Sequence, residues 1–329
     1  MNEKIVVIGS NSFSGASFVD YVLGQGLETI GFSRSPEPNS VFLPYKKRKA
    51  LPFHFYQLDL NHDLRELMDK INEFQPDYIV NFAAQAMVAE SWQYPEHWFQ
   101  TNTVATVKFH DQLRRADYLK KYVHVSTPEV YGTCQGLVPE NTNYQPSTPY
   151  AVSRAAADMS LMSFYKAYNF PVVFTRAANV YGPGQQLYRI IPKTILSVFM
   201  KRKIPLHGGG ASVRSFIHIR DVADGTLKAA RKGEPGDIFH FSTPSNISIR
   251  NLVEMITKEM KVNFKDFVEV AEERPGKDAA YLLDSSKAIS ELQWSPKIKL
   301  EEGIRETIKW VKDNLDNLKE QPSSYIHKP

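Results

Sequence analysis

The sequence predicts an α/β protein: a doubly wound parallel sheet with a smaller mixed α/β lobe toward its end. Two observations carry this expectation. In the first half, short runs that are apolar throughout alternate with longer segments of helical period, as parallel strands buried on both faces and joined by helices require. Beyond Tyr181 Gly and Pro become frequent, as in Gly182-Pro183-Gly184 and Gly208-Gly209-Gly210, and shorter mixed elements follow.

Taken in order, Ile5–Ile8 reads as a strand and Ser14–Leu23 as a helix. Strands follow at Thr29–Phe32 and Phe55–Leu58, a helix at Leu64–Phe74 and a strand at Tyr78–Phe82. Val104–Arg115 reads as a helix and Tyr122–Ser126 as a strand. A turn-rich stretch, Asn141–Pro149, leads into a long helix over Tyr150–Tyr168 and a buried strand at Pro171–Arg176. The second lobe holds elements such as a helix at Ser248–Met260. The expected division is a first domain over residues 1–180, with some later chain passing back to it, a second lobe over 181–315, and a polar tail over 316–329. The tail carries two prolines after Leu318 and is expected to fray.

Length and composition agree. A chain of 329 residues, 42% of them hydrophobic, can build two lobes around a sizeable core. The net charge of +4 is small and not concentrated, which argues against nucleic acid as a partner. The run Lys46-Lys47-Arg48-Lys49 reads as a solvated loop. Cys134 is the single cysteine, so no internal disulfide can form, in keeping with a reducing cytoplasm. No apolar stretch approaches the ~18 residues that span a membrane, and no signal-peptide pattern appears. No metal site is expected.

The segment Ile8-Gly9-Ser10-Asn11-Ser12-Phe13-Ser14-Gly15 ends the first strand and opens the first helix. Such a loop lets backbone N–H groups and a helix N-terminus meet a pyrophosphate, the Rossmann arrangement for a nicotinamide dinucleotide. Gly9 permits the tight turn and Gly15 the close helix–strand packing; Ser12 stands where the middle glycine is usual. Gly9, Asn11, Ser12, Phe13 and Gly15 are therefore expected to face the cofactor. The second strand ends without the customary carboxylate, in Ser33 and Arg34, which suit the 2′-phosphate of NADP. Arg34 could equally stack on the adenine or face solvent while NAD binds.

Tyr150 and Arg154 lie four apart at the start of a helix and share a face. Thr127-Pro128-Glu129 follows the strand ending near Ser126. A tyrosine can take a hydroxyl proton while hydride leaves the same carbon, provided a nearby cation lowers its pKa from ~10. Thr127 could hydrogen-bond the same oxygen. Alone, Tyr150 reads more readily as packing; a surface glutamate on a loop is the lesser alternative for Glu129.

From about Lys4 to Trp310 the chain resembles the extended short-chain dehydrogenase/reductase family. The matching segments are the glycine loop, Asn81-Phe82-Ala83-Ala84-Gln85, Ser126-Thr127-Pro128-Glu129-Val130-Tyr131-Gly132, Ser147-Thr148-Pro149-Tyr150-Ala151-Val152-Ser153-Arg154 and Asn179-Val180-Tyr181-Gly182-Pro183. Val213–Ala223 and Arg274-Pro275-Gly276-Lys277-Asp278 complete the set. The closest resemblance is to nucleotide-sugar 4,6-dehydratases of the dTDP-glucose and GDP-mannose kinds. It implies that Tyr150 takes the proton of the sugar 4-hydroxyl while hydride passes to bound NAD or NADP. Glu129 then removes the C5 proton, water leaves C6, and the hydride returns. Catalytic roles fall to Tyr150, Arg154, Thr127 and Glu129. Asp59, Leu60, Ala83 and Ala84, with Tyr150 and Arg154, are added to the expected cofactor contacts. Gln85, Thr127, Pro128, Glu129, Asn179, Arg189, Arg214 and Arg274 are expected against a nucleotide-diphosphate sugar, the arginines on its phosphates. A homodimer through the helices Val104–Arg115 and Tyr150–Tyr168 is implied as well.

Three positions depart from the family pattern. Ser12 adds a Cβ to the loop. Pro128 replaces the aspartate of dTDP-glucose dehydratases, leaving Glu129 to serve as both base and acid. Arg154 replaces the family lysine; it keeps the charge but cannot release a proton. The alternatives are a nucleotide-sugar epimerase, a sugar-acid decarboxylase, or a cofactor-binding homologue that has lost the chemistry.

Overall fold

The computed structural model describes residues 3–48, 53–134, 136–272 and 282–328. Its centre is a parallel sheet. Five strands come from the first 125 residues: β1 (Lys4–Ile8), β2 (Glu28–Ser33), β3 (Phe53–Gln57), β4 (Tyr78–Asn81) and β5 (Lys121–Val125). Val172–Ala177 and Ile238–Phe241 extend it to seven. The order across the sheet is β3-β2-β1-β4-β5, then Val172–Ala177, then Ile238–Phe241, with every pair parallel. The chain winds outward from β1 to β3, then starts again on the other side of β1 with β4. That reversal opens a crevice at the carboxyl ends of β1 and β4, where ligands of doubly wound sheets bind.

The continuous apolar runs are explained by packing on both faces. Val6 and Ile8 point into a core with Leu67, Met68 and Ile71 of the Leu64–Phe74 helix and with Phe109 and Leu113. Ile5 and Val7 point the other way, onto Ala16, Val19 and Val22 of α1 (Phe13–Gly24). The helix Ile219–Lys232 lays Ala223, Leu227 and Ala230 on that second face. The second lobe has its own core, including Leu187, Ile191, Ile195, Leu252, Ile256, Ile304 and Trp310.

Two elements differ from expectation. Helical structure expected from Val104 already begins at Pro95, with α-helix over Pro95–Phe99, a π-helical stretch over Gln100–Ala105 and α-helix again over Thr106–Leu113. The π-stretch breaks the 3.6-residue period, so periodicity picks up the helix only beyond it. The segment after Leu318 is not frayed. Leu318 itself is fully buried at the end of the Leu315–Lys319 helix, and residues beyond it pack back against the crevice. Among the described residues no helix is long and apolar enough to cross a membrane, and no cluster of metal-ligating side chains occurs.

Candidate active site

The glycine loop sits at the crevice. Gly9 has φ +79, and a Cβ there would lie 2.7 Å from the Ala83 nitrogen, so β1 and β4 approach too closely for any side chain. A Cβ on Gly15 would meet the Gly9 carbonyl oxygen at 2.1 Å. Ser12 needs no glycine. It caps α1 with extended backbone, φ −70 and ψ 161, its hydroxyl accepting from Gly15 N at 3.0 Å and donating to Gly9 O at 2.7 Å. The first departure is thus absorbed as an N-cap rather than by a shifted loop. Ala16 N is bonded to Ser12 O and Gly15 N to Ser12 Oγ, so the amides of Phe13 and Ser14 are the helix-terminal donors without an intrahelical acceptor. A glycine that forbids a Cβ and open amides at a helix N-terminus fit a dinucleotide's pyrophosphate.

The flanking strand ends carry the other expected cofactor residues. Asn11 N donates to Ser33 Oγ at 3.0 Å and Asn11 Nδ2 to Ser35 O at 3.0 Å, which fixes the turn after β2 to the loop. Arg34 Nη2 donates to the Lys328 carbonyl at 3.1 Å. Asp59 Oδ1 accepts from Asn61 N at 2.9 Å, a local turn bond, and Leu60 is buried in the sheet core. Ala83 N is held by Asn81 Oδ1, and Ala84 is half-buried next to it. Gln85 is buried, and Asn102, a residue not anticipated from sequence, clamps its backbone through both amide atoms at 2.8 and 3.0 Å. Asn102 Nδ2 also donates to Ser153 Oγ at 3.0 Å, so the π-stretch ties this strand end to the helix that carries Tyr150.

Thr127, Glu129 and Tyr150 come together. Thr127 caps the 3₁₀ turn Pro128–Tyr131, which explains Pro128: proline suits the first helical position, where no N–H is needed. The Thr127 hydroxyl donates to the Glu129 carboxylate, and Thr127 is close enough to the Tyr150 phenol to lower its pKa. Tyr150 opens the helix Pro149–Tyr168, whose cap Thr148 accepts from Ala151 N at 3.2 Å. Burial and then the Glu129 charge push the Tyr150 pKa up to about 12, while Arg154, Thr127 and Arg189 pull it down.

Arg154 is buried and turned toward β5. Its Nη2 donates to the Val125 carbonyl and lies 3.2 Å from His124 Nε2, and its Nε has no partner. Burial, with the Arg154 charge next, drives the His124 pKa well below the usual range, so the ring is neutral and accepts from Arg154. Asp158 stands 3.4 Å from His124, takes a 2.6 Å bond from Ser126 Oγ and pairs with Arg176 at 2.9 Å, both side chains fully buried. Arg176 in turn donates to the Tyr131 hydroxyl and, at 2.8 Å, to that of Tyr144. Sequence reasoning missed this network. Its signal was His124, a polar residue inside the otherwise buried strand Lys121–Val125.

The expected phosphate-binding side chains are spread along the second lobe. Asn179 Nδ2 donates to Ser215 O at 3.2 Å. Arg189 caps the helix Ile190–Phe199, stacks 5.6 Å from the Tyr188 ring and is close enough to act on Tyr150. Arg214, half-buried on the strand Val213–His218, donates to the Val213 carbonyl at 2.8 Å. Arg274 lies outside the described residues. Cys134 packs with Val130 and Tyr131 beyond the catalytic turn.

Comparison with known proteins agrees with this geometry. The family model described as GDP-mannose 4,6 dehydratase matches residues 6–307. The dTDP-D-glucose 4,6-dehydratase of Homo sapiens is 34% identical over 74% of this chain and 71% of its own. The dTDP-glucose 4,6-dehydratase of Haemophilus influenzae is 27% identical over 93% of this chain and 97% of its own. Among solved structures, the dTDP-glucose 4,6-dehydratase DesIV of Streptomyces venezuelae, with NAD bound, superposes with a TM-score of 0.88 at 27% identity, covering 95% of this chain and 98% of that one. The glycine loop, the Thr127–Glu129–Tyr150 cluster and these matches together make the chain a member of the GDP-mannose 4,6-dehydratase family within the extended short-chain dehydrogenases/reductases.

Proposed function

We propose that this protein is a nucleotide-sugar 4,6-dehydratase acting on a nucleoside-diphosphate hexose. The observation that carries the reading is the cluster of Thr127, Glu129 and Tyr150, in which Thr127 donates to the Glu129 carboxylate and both residues act on the Tyr150 phenol. Bound nicotinamide supplies hydride acceptance and return. Tyr150 takes the 4-hydroxyl proton, with Thr127 on the same oxygen and the Arg154 charge favouring the phenolate. The 4-ketone so formed acidifies C5–H, and Glu129 removes that proton. With Pro128 unable to donate, Glu129 passes the captured proton to the departing C6 hydroxyl. Arg189, Arg214 and Arg274 suit the diphosphate.

Incubation with dTDP-glucose tests this. The expected result is a product one water lighter with a 4-ketone. Glu129→Gln should form reduced nicotinamide but lose no water. Unchanged mass across a panel of dTDP-, UDP- and GDP-hexoses excludes dehydration.

The cofactor reading is a nicotinamide dinucleotide. The absence of a carboxylate at Ser33-Arg34-Ser35 supports acceptance of NADP, and an Arg34→Ala variant that loses affinity for NADP but not NAD would bear this out. A homodimer is supported by Val104, Val152 and Met159, exposed apolar residues on the two helices expected at the interface. Sedimentation of Met159→Asp as a monomer tests it. The lone cysteine supports a cytoplasmic location.

A further inference from the structure

The segment 322–328 runs back over the mouth of the crevice, and the proposed chemistry does not use it. The Lys328 carbonyl oxygen accepts from both Arg34 Nη2 at 3.1 Å and Gln85 Nε2 at 2.7 Å. Arg34 follows β2 and Gln85 follows β4, and β1 lies between those strands. One oxygen that takes both bonds therefore lies across the carboxyl end of β1, above the Gly9–Gly15 loop. A dinucleotide bound in this fold takes the same path.

The rest of the segment is seated as well. The His327 ring lies nearly parallel to Tyr94 and Trp98, with centroids 5.2 Å away in each case, and its Nε2 is 2.8 Å from His97 Nδ1. Tyr325 packs edge-on against Tyr188 at 5.7 Å, on the second lobe, and its hydroxyl reaches His327 Nδ1 at 3.3 Å. Lys328 Nζ donates to Ser35 Oγ at 3.1 Å. Segment 322–328 thus spans the crevice from the turn after β2 to the residue beside Arg189.

We propose that the crevice mouth is a docking site for the chain's own segment 322–328, and that the docked segment excludes the dinucleotide. The Lys328 carbonyl stands in for a ribose or phosphate oxygen by satisfying Arg34 and Gln85, donors a bound ligand would otherwise use. Ring contacts and a few hydrogen bonds suffice because the segment is tethered, and a tether gives a high effective concentration. The inference rests on the dinucleotide reading given above.

NAD titration of the full chain, of His327→Ala and of Tyr325→Ala tests it, with chymotrypsin cleavage after Tyr325 in the full chain and in His327→Ala followed in parallel. For a segment docked nine-tenths of the time, His327→Ala should bind NAD about tenfold more tightly, because apparent affinity scales with the open fraction. Cleavage after Tyr325 should be about tenfold slower in the free full chain than in His327→Ala, because it tracks the open population, and should speed up when NAD binds. Equal NAD affinity in all three chains overturns the proposal, as does equal cleavage of the free full chain and His327→Ala. Cleavage that slows on NAD binding, with weaker affinity in the variants, identifies a strap that closes over the cofactor and overturns exclusion. Binding of NAD by none of the chains overturns the dinucleotide reading, and exclusion with it, whereas equal binding by all overturns exclusion alone.

Discussion

Replacing Arg154 by Met and by Lys separates its charge from its shape. Tyr150 and Arg154 are i,i+4 neighbours on one helix with Cβ atoms about 6 Å apart, which sets the order of magnitude of the charge separation. At an effective dielectric of about 20, a unit charge at about 6 Å is worth roughly 2.8 kcal/mol, or about two pKa units. Tyr150 stands at about 12 with that charge already pulling it down. Tyrosinate is the base, so the oxidation rate rises with pH below the tyrosine pKa. Arg154→Met should therefore slow sugar oxidation about a hundredfold at neutral pH and regain the loss when the pH is raised by about two units. Arg154→Lys keeps the charge and should keep the pH profile. Both variants leave the Val125 carbonyl or His124 Nε2 short of a donor, at about 1–3 kcal/mol of stability. The assay is single-turnover reduction of bound nicotinamide by dTDP-glucose across a pH series, with denaturant melts run on the same samples. Equal losses in Met and Lys, with no displacement of the pH profile, would refute the electrostatic role.

Other outcomes follow from the same contacts. Gly9→Ala places a Cβ 2.7 Å from the Ala83 nitrogen at φ +79, so it should cost at least about 1–2 kcal/mol and weaken NAD binding; a silent variant in melt and titration would show that the loop is not packed on β4. Asp158→Asn leaves Arg176 buried without its counter-charge, and a loss of about 3–5 kcal/mol is expected in denaturant unfolding. Acid should release segment 322–328. Burial first, then the His97 and Arg34 charges, lower the docked His327 pKa, against the raising effect of Glu90 and Glu96. The released ring, with its ordinary value near ~6.5, binds a proton that the docked ring does not. Docking is therefore strongest above that value and weakens as pH falls through it, which the rate of chymotrypsin cleavage after Tyr325, compared with that of His327→Ala at each pH, will report.

The sheet was legible because its strands are apolar on both faces. Ile5–Ile8 and Tyr78–Phe82 could be read without a partner in view, since no residue in them has to face water. The site was legible where residues keep a fixed place relative to such strands: Gly9 after β1, Glu129 after β5, Tyr150 at a helix start. What escaped was polar and long-range. Asn102 acts through a π-stretch that erases helical period, and it reaches Gln85 and Ser153 at once. Asp158 and Arg176 are ordinary charged residues until the fold closes Tyr131, Tyr144 and His124 around them. Segment 322–328 read as frayed because its composition is polar, yet two of its rings find aromatic partners far away in sequence.

Two of the positions that depart from the family pattern settle the local backbone of their own turn, and the third reaches across to another element. Ser12 caps α1, Pro128 opens the 3₁₀ turn behind Thr127, and Arg154 donates to the Val125 carbonyl. For Ser12 and Pro128 that bond or ring geometry leaves the facing groups intact, the Phe13 and Ser14 amides in one case and Thr127 with Glu129 in the other. Arg154 is different, because the donor given to β5 is the end of the side chain that would otherwise reach the cofactor. Its charge still acts on Tyr150 across the helix face, but its hydrogen bonds belong to the buried His124–Asp158–Arg176 network. On the proposed reading, Arg154 can therefore supply a charge near Tyr150 but not a hydrogen bond to the cofactor.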